Sequence, residues 1–463
     1  MKKLRTVVLL VGLFVTVLHL SSLAGDISMT EEMRKANIDW RRFSGEKISV
    51  NLSRIPHAES MLELIPEFEQ LTGIDVDFQL LSDNEYWNKL TLDFASGAGN
   101  FDVVYTNNIM YNYIAAGYVE PLTAYLNDPK LTDLEWYDVD DFFELPWETC
   151  VWDGKTIGPN TYGIGDVYSI PFTSESTIMA YRKDIYAKYG MTLPNTWPEL
   201  VDIAKKLTRD GVYGFMSRGS RKFSTLMFGG YSNGYFAYGA SDFDKNLNAV
   251  FNSPEGVAFT ELWADLVRGA APPGYLSFTW EDARSSFMSG DRYAMTIEGD
   301  VFILSWENPE LSEVVGKIGY ALTPAGPAGH KNGQVSWSIG INSKSRHKNA
   351  AWLFIQWATS KPLLLRATAE FLTFPPTRRS VWLDPSVVEI TGKWDNGNYR
   401  KVFTEMTEKK YTGILWTVSP EMIGLNEIWT EAVHKVILEQ ATAKKALDTL
   451  VERANEFMAR YKK

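Results

Sequence analysis

The sequence predicts an α/β fold of two or three domains. Three observations carry this. Strand-like and helix-like periodicities alternate along the chain, and the alternation resumes after an irregular interruption. In addition, 463 residues at 45% hydrophobic and 22% charged content can bury more than one core. Lys47-Ile48-Ser49-Val50-Asn51-Leu52 alternates as a strand does. Met61, Leu62, Leu64, Ile65, Phe68 and Leu71 follow at helical spacing, and Thr72-Gly73 closes that helix. Ile74-Asp75-Val76-Asp77-Phe78 alternates again. Tyr86, Leu90, Leu92 and Phe94 mark a second helix ending at Ser96-Gly97, and Phe101-Asp102-Val103-Val104-Tyr105 is the next strand. This order predicts a parallel sheet with helices on its faces.

Residues 128–160 break the pattern and are rich in Trp, Asp and Pro, as expected for an irregular excursion on one domain. A second α/β stretch begins at Val167. Ser253-Pro254-Glu255 starts a helix with a capping hydroxyl and a first-turn proline, and Leu262, Trp263, Leu266 and Val267 give it a buried face. Ala446, Leu447, Leu450, Val451, Ala454, Phe457 and Met458 predict an amphipathic C-terminal helix. There are no internal repeats.

Lys2, Lys3 and Arg5, then the apolar Val7 to Leu20, then Ser22-Leu23-Ala24, read as a secretory signal peptide cleaved near Ala24. The apolar run falls short of the roughly 20 residues of a spanning helix, and no cysteine is placed to carry a lipid there. Removal takes away three positive charges and no acid, so the formal net charge goes from −11 to −14. An exported protein this acidic is a poor partner for nucleic acid or anionic membranes. The single Cys150 cannot form an internal disulfide and reads as a buried thiol.

Most catalytic and metal motifs fail. His57, His330, His347 and His434 are scattered, without zinc spacing. Gly154-Lys155-Thr156 lacks the earlier glycine of a phosphate loop. Asp242-Phe243-Asp244-Lys245-Asn246 lacks the glycine and glutamate of a calcium loop and reads as a polar turn. No cofactor or metal is therefore expected. Gly230-Tyr231-Ser232-Asn233-Gly234 does match the hydrolase elbow G-x-S-x-G, with histidines later in the chain. Glu175 and Glu298 would suit a glycosidase pair if the fold set them about 5–9 Å apart. A secreted glycosidase or esterase is thus the enzymatic alternative to a binding protein.

The segment GDVYSIPFTSESTIMAYRKDIY, from Gly165 to Tyr186, holds a polar knot, Thr173 to Thr177, between two apolar runs. It has no Gly, Asn or Asp to make a tight hairpin, and it carries a carboxylate at its centre. Here the chain resembles the bacterial extracellular solute-binding proteins of ABC importers, in the group that includes maltose-binding protein. The landmarks run in order: Phe68 to Val76, Phe101 to Tyr105, Gly117-Tyr118-Val119-Glu120-Pro121-Leu122, Tyr168 to Phe172 with Tyr181 to Asp184, Ala294 to Asp300, Trp337 to Ile341, and Ala350 to Ile355. Residues 336–361 and 374–379 resemble binders of sugar alcohols and small sugars most. The resemblance implies two lobes with hinge crossovers and a ligand cleft between them. The expected N-terminal lobe is 46–172 plus 338–385, and the C-terminal lobe 173–337 plus 386–463. It also implies capture of a sugar or polyol without catalysis, by a monomer that docks transiently on ABC permease subunits in the periplasm. Phosphorylated polyols and peptides are the other ligand classes. Arg218, Arg221, Arg378 and Arg379 are the candidate phosphate partners, or else surface and packing residues.

A polyol offers hydroxyls that donate and accept, and C–H faces, so its site needs Asp, Glu, Asn and aromatic rings. By the resemblance Glu175, six residues before Tyr181, binds ligand; the alternative is a solvated turn carboxylate. Ser174 and Ser176 are its neighbours. Thr106, Asn107 and Asn108 follow a strand end, where open α/β sheets present ligand sites. Maltose-type relatives have Trp where Thr106 stands, which argues against a long stacked oligosaccharide. Glu298 and Asp300 end another strand and are either ligands or salt-bridge partners. Tyr231 and Trp337 are candidate stacking rings, Trp337 alternatively hinge packing. Asn426 and Trp416 complete the set, with His57 at the cleft or on a surface loop.

Overall fold

A computed structural model describes residues 29–107, 111–221, 225–290 and 292–462. The elements used below are strands β1 (Lys47–Ser53), β2 (Asp75–Leu81), β3 (Val103–Asn107), β4 (Ile170–Arg182), β5 (Met295–Gly299), β6 (Ile318–Ala321), β7 (Asn332–Ile341) and β8 (Thr412–Gly413). The helices are α1 (Pro56–Thr72), α2 (Asp83–Ser96), α3 (Trp197–Leu207), α4 (Tyr231–Ala237), α5 (Pro254–Ala270), α6 (Lys348–Ala358), α7 (Asn398–Glu408), α8 (Met422–Ile437) and α9 (Ala443–Met458).

One sheet runs through the molecule in the order β2-β1-β3-β7-β4-β5, with β6 on β4 and β8 on β7. The predicted parallel pairing holds for β2, β1 and β3. It does not hold beyond them: β7 runs antiparallel to β3 and to β4, and β5 and β6 run antiparallel to β4. The reason is that β4 and β7 are long strands travelling in opposite directions through the whole molecule. Gly73 ends α1 in a left-handed conformation (φ +72°), where an L-residue is strained. Ser253 caps α5 by accepting from the Gly256 N–H, as its sequence predicts.

Two apolar cores flank the sheet. The first gathers Val50, Phe68, Tyr105, Trp352, Phe354 and Trp357, and takes in Ile303, Trp306, Tyr320, Tyr399 and Phe403 from later in the chain. The second gathers Trp197, Phe215, Tyr231, Phe259, Trp263, Trp429 and Leu447. Much of the high tryptophan content serves these cores. A third, smaller cluster joins Tyr111 and Trp152 to Phe228, Trp416, Val418 and Met422, with Val335 and Trp337 against it. The irregular excursion reaches this cluster, and Gly158 bridges to Val418 through reciprocal backbone hydrogen bonds of 3.2 and 3.1 Å.

The polar knot is not a turn. Thr173 to Thr177 lie inside β4, which is buried almost throughout. Up to Ser176 the strand pairs with β7; from Thr177 onward it pairs with β5 and then β6. The register slips between Pro171 and Thr173, beside a proline with no N–H to donate to the ladder. Polar side chains cluster where one set of partners hands the strand to the next.

Candidate functional site

Glu175 sits at this handover, 5% exposed. Gly299, at the end of β5 opposite Thr177, makes room for it: a Cβ there would lie 1.9 Å from Glu175 Oε1 and 2.4 Å from its Cγ and Cδ. Only glycine fits under this carboxylate. The next residue, Asp300, accepts from the Ser176 N–H at 2.9 Å and from the Tyr399 hydroxyl of α7 at 3.0 Å. Three carboxylates, Glu175, Glu298 and Asp300, therefore converge on one buried junction.

Arg218 is the cation that Glu298 and Glu175 share. Its guanidinium reaches both oxygens of Glu298: Nε donates to Oε1 at 3.1 Å and to Oε2 at 2.9 Å, and Nη2 donates to Oε2. The Arg218 N–H and the Ser217 hydroxyl also donate to Glu298 Oε1, at 3.0 and 3.1 Å. Glu175 is farther from the guanidinium, with Oε1 3.7 Å from Nη2. The guanidinium carbon lies 4.9 Å from the Phe228 ring centre and 5.7 Å from that of Phe302. Burial alone lowers the Arg218 pKa; the Glu298 carboxylate overcomes this and holds it above its ordinary value.

One cation thus faces three acids, and Asp300 has no cationic partner among the described residues. Burial pushes Glu175 up to about 7; Arg218 opposes the shift and Glu298 adds to it. Burial pushes Asp300 up to about 8 against its hydrogen bonds from Ser176 and Tyr399, with a further push from Glu175. The unfolded chain releases these protons near pH 4, so between about pH 4 and 8 the folded form holds more protons than the unfolded one. Stability therefore falls as pH rises through that window. Thermal melts between pH 5 and 8.5 are expected to show the decline, and Asp300→Asn to flatten it by on the order of 3 kcal/mol. A wild-type profile that is flat over this range contradicts the assignment.

Trp337 gives the junction its ring. Its indole Nε1 donates to Glu175 Oε2 at 3.2 Å, and it stacks on Tyr105 at 5.3 Å between centres and 8° between planes. Glu175 Oε1 is left without a hydrogen-bond partner, as are Trp416 Nε1 and Asn426 Oδ1. An unsatisfied buried polar atom costs about 1–3 kcal/mol. The orphaned Glu175 acceptor beside the Trp337 ring suits a ligand hydroxyl that donates.

The structure brings together Thr106, Glu175, Ser176, Glu298, Asp300 and Trp337. The Thr106 hydroxyl lies 3.0 Å from that of Ser338, and Ser176 Oγ accepts from Gln334 Nε2 at 3.1 Å. Ser174 pairs with Ser336 in the β4–β7 ladder. Asn107 pairs with Trp337 through its backbone, and Asn108 lies outside the described residues. Trp416 belongs to the third cluster.

Other candidates are held elsewhere. Tyr231 packs among Tyr235, Phe259, Trp263 and Trp429 in the second core, its hydroxyl 2.7 Å from Thr260 Oγ1, so its ring is committed to packing. Asn426 is buried on α8 between Leu425 and Trp429, one turn from Met422 of the third cluster. His57 is neither at the cleft nor on a surface loop: it is buried against Phe172 and its Nε2 lies 3.1 Å from the Phe374 carbonyl oxygen. Burial lowers its pKa to about 3.

Arg378 donates through Nε and Nη1 to the Thr359 and Asp138 carbonyls, 3.8 Å from the Phe142 ring centre, and its Nη2 has no hydrogen-bond partner. Arg379 bonds the Asp140 carbonyl and Arg221 is exposed. Ser232 lies within α4, preceded by the short helix Thr225–Phe228 rather than by the strand of a nucleophile elbow. His330, His347 and His434 bond Thr323, Glu46 and Gly219 instead. Asp242 binds Thr417, while Asp244 closes the polar turn. Cys150 is buried and burial pushes its thiol up to about 11, which makes it unreactive. Sequence reasoning assigned no role to Gly299, Ser217 or Tyr399, and left Arg218 as a phosphate partner or a surface or packing residue without naming Glu298 as its partner.

Residues 55–362 match the family described as bacterial extracellular solute-binding protein. The chain is 31% identical over 407 residues to an erythritol/L-threitol-binding protein of Mycolicibacterium smegmatis, covering 86% of this chain and 83% of that one. It is 28% identical over 303 residues to a mannitol-binding protein of Pseudomonas aeruginosa, covering 63% and 64%. A solved ABC transporter solute-binding protein of Agrobacterium radiobacter K84, in complex with ribitol, superposes with a TM-score of 0.74 at 26% identity, over 89% of this chain and 99% of that one.

Proposed function

The chain belongs to the bacterial extracellular solute-binding protein family, and from that premise we propose that it is the substrate-binding subunit of an ABC importer for a small polyol. The observation that carries the reading is the 31% identity over 86% of the chain to a binder of four-carbon polyols. The ribitol-bound relative supports the same class. The junction suits such a ligand: Glu175 offers an oxygen without a hydrogen bond, Trp337 a ring, and Thr106 a short side chain in place of a second large one. Polyol hydroxyls donate to the carboxylate while C–H faces lie on the indole.

Two lobes that meet where β4 passes from β7 to β5 close on the ligand by a hinge motion. The closed form gains only from contacts the ligand makes to both lobes, and that difference is what a permease reads. We place the protein in the periplasm, exported by a leader cleaved near Ala24, as a monomer engaging permease subunits transiently and catalysing nothing.

A thermal-shift panel of erythritol, threitol, ribitol, mannitol, maltose, aryl glycosides and a short peptide tests this. At a hundred times Kd a bound polyol adds about 2.7 kcal/mol. One or more of the four polyols is expected to raise the melt, with no product released from the aryl glycosides. A shift with maltose or the peptide alone, or turnover, overturns the reading.

A further inference from the structure

We propose that the junction selects uncharged polyols and rejects their phosphate esters and sugar acids, with Glu175 as the discriminating residue. This rests on the polyol reading above and goes one step further, to the charge of the ligand. An anionic ligand needs a cation whose charge is not already set against buried acids. Among the described residues the only cation within 4.0 Å of Glu175, Glu298 or Asp300 is Arg218. It is 4% exposed, and Glu298 takes its Nε and Nη2 as well as its backbone N–H. The other buried arginines stand elsewhere: Arg378 donates to the Thr359 and Asp138 carbonyls and lies 3.5 Å from Asp141, with Nη2 left without a hydrogen bond, and Arg182 is held by Asp184 and Gly290.

What remains at the junction is acceptor chemistry. Glu175 Oε1 is more than nine-tenths buried, has no hydrogen-bond partner, its nearest cation being Arg218 Nη2 at 3.7 Å, and stands above Gly299. A hydroxyl donates to it; a phosphate or carboxylate oxygen opposes it charge to charge. The burial that holds protons on Glu175 and Asp300 up to about 7 and about 8 reflects the same shortage of cations. Discrimination is therefore expected to sharpen as pH rises past both values.

The test is calorimetric titration at pH 8.5 with erythritol and ribitol, and with erythritol 4-phosphate, ribitol 5-phosphate and ribonate. The wild type is expected to bind a neutral polyol at least 100-fold more tightly than its anionic counterpart. In Glu175→Gln, which keeps the shape and removes the charge, that ratio is expected to fall at least tenfold. At pH 6 the wild-type ratio is expected to narrow. Polyol and ester bound within tenfold by the wild type overturns this inference and leaves the polyol reading standing. Binding of the esters alone overturns both. An unchanged ratio in Glu175→Gln removes Glu175 from the discriminating role.

Discussion

Arg218→Met is expected to destabilise the protein by about 3–5 kcal/mol, the usual cost of stripping one partner from a buried ion pair. The side chain is 4% exposed and its partner Glu298 is fully buried, so water cannot replace the lost guanidinium. Methionine preserves the packing between Phe228 and Phe302, so the loss reports charge rather than volume. Glu175 loses at the same time its only nearby cation among the described residues. Chemical denaturation measures the effect. Adding Glu298→Leu to Arg218→Met is expected to recover more than half of the loss, because an apolar pair of similar volume often matches a buried ion pair. The recovery is incomplete because Glu175 remains. A cost below about 1 kcal/mol for Arg218→Met contradicts the electrostatic account of the junction.

The second large effect is on binding. Glu175→Gln is expected to weaken polyol affinity roughly 10- to 150-fold, the loss of one charge-assisted hydrogen bond of about 1.5–3 kcal/mol. Stability should change little or rise, since a buried carboxylate without full compensation is removed. Gly299→Ala reaches the same carboxylate from below. Its Cβ occupies the place of Glu175 Oε1, so the side chain must leave its position. Both variants should lose affinity together although one leaves Glu175 intact. Loss in Glu175→Gln alone separates the carboxylate from its support.

The strands, the capped helix at Ser253 and the C-terminal helix were legible because their signals are local. Alternation in Lys47 to Leu52 and the Ser-Pro-Glu start report directly on backbone geometry. The crossover was legible only as a polar knot that fits no tight turn. That this knot is a continuous strand follows from pairings with β5 and β7, residues far off in sequence. Arg218 and Glu298 are 80 residues apart, and no periodicity announces their contact. Gly299 lay in plain view beside Glu298, but its need to be glycine comes from a side chain on another strand. Tyr231 and His57 misled for the opposite reason. Each sits near a loop in sequence, and tertiary packing takes it into a core.

The central claim is that Glu175, where β4 leaves its pairing with β7, holds a small neutral polyol. Isothermal titration of the wild type and Glu175→Gln with the tightest of erythritol, threitol, ribitol and mannitol tests it most directly. The account predicts micromolar binding by the wild type, about −8 kcal/mol, and at least tenfold weaker binding by a variant that melts no lower. Equal affinity in the two proteins would contradict it.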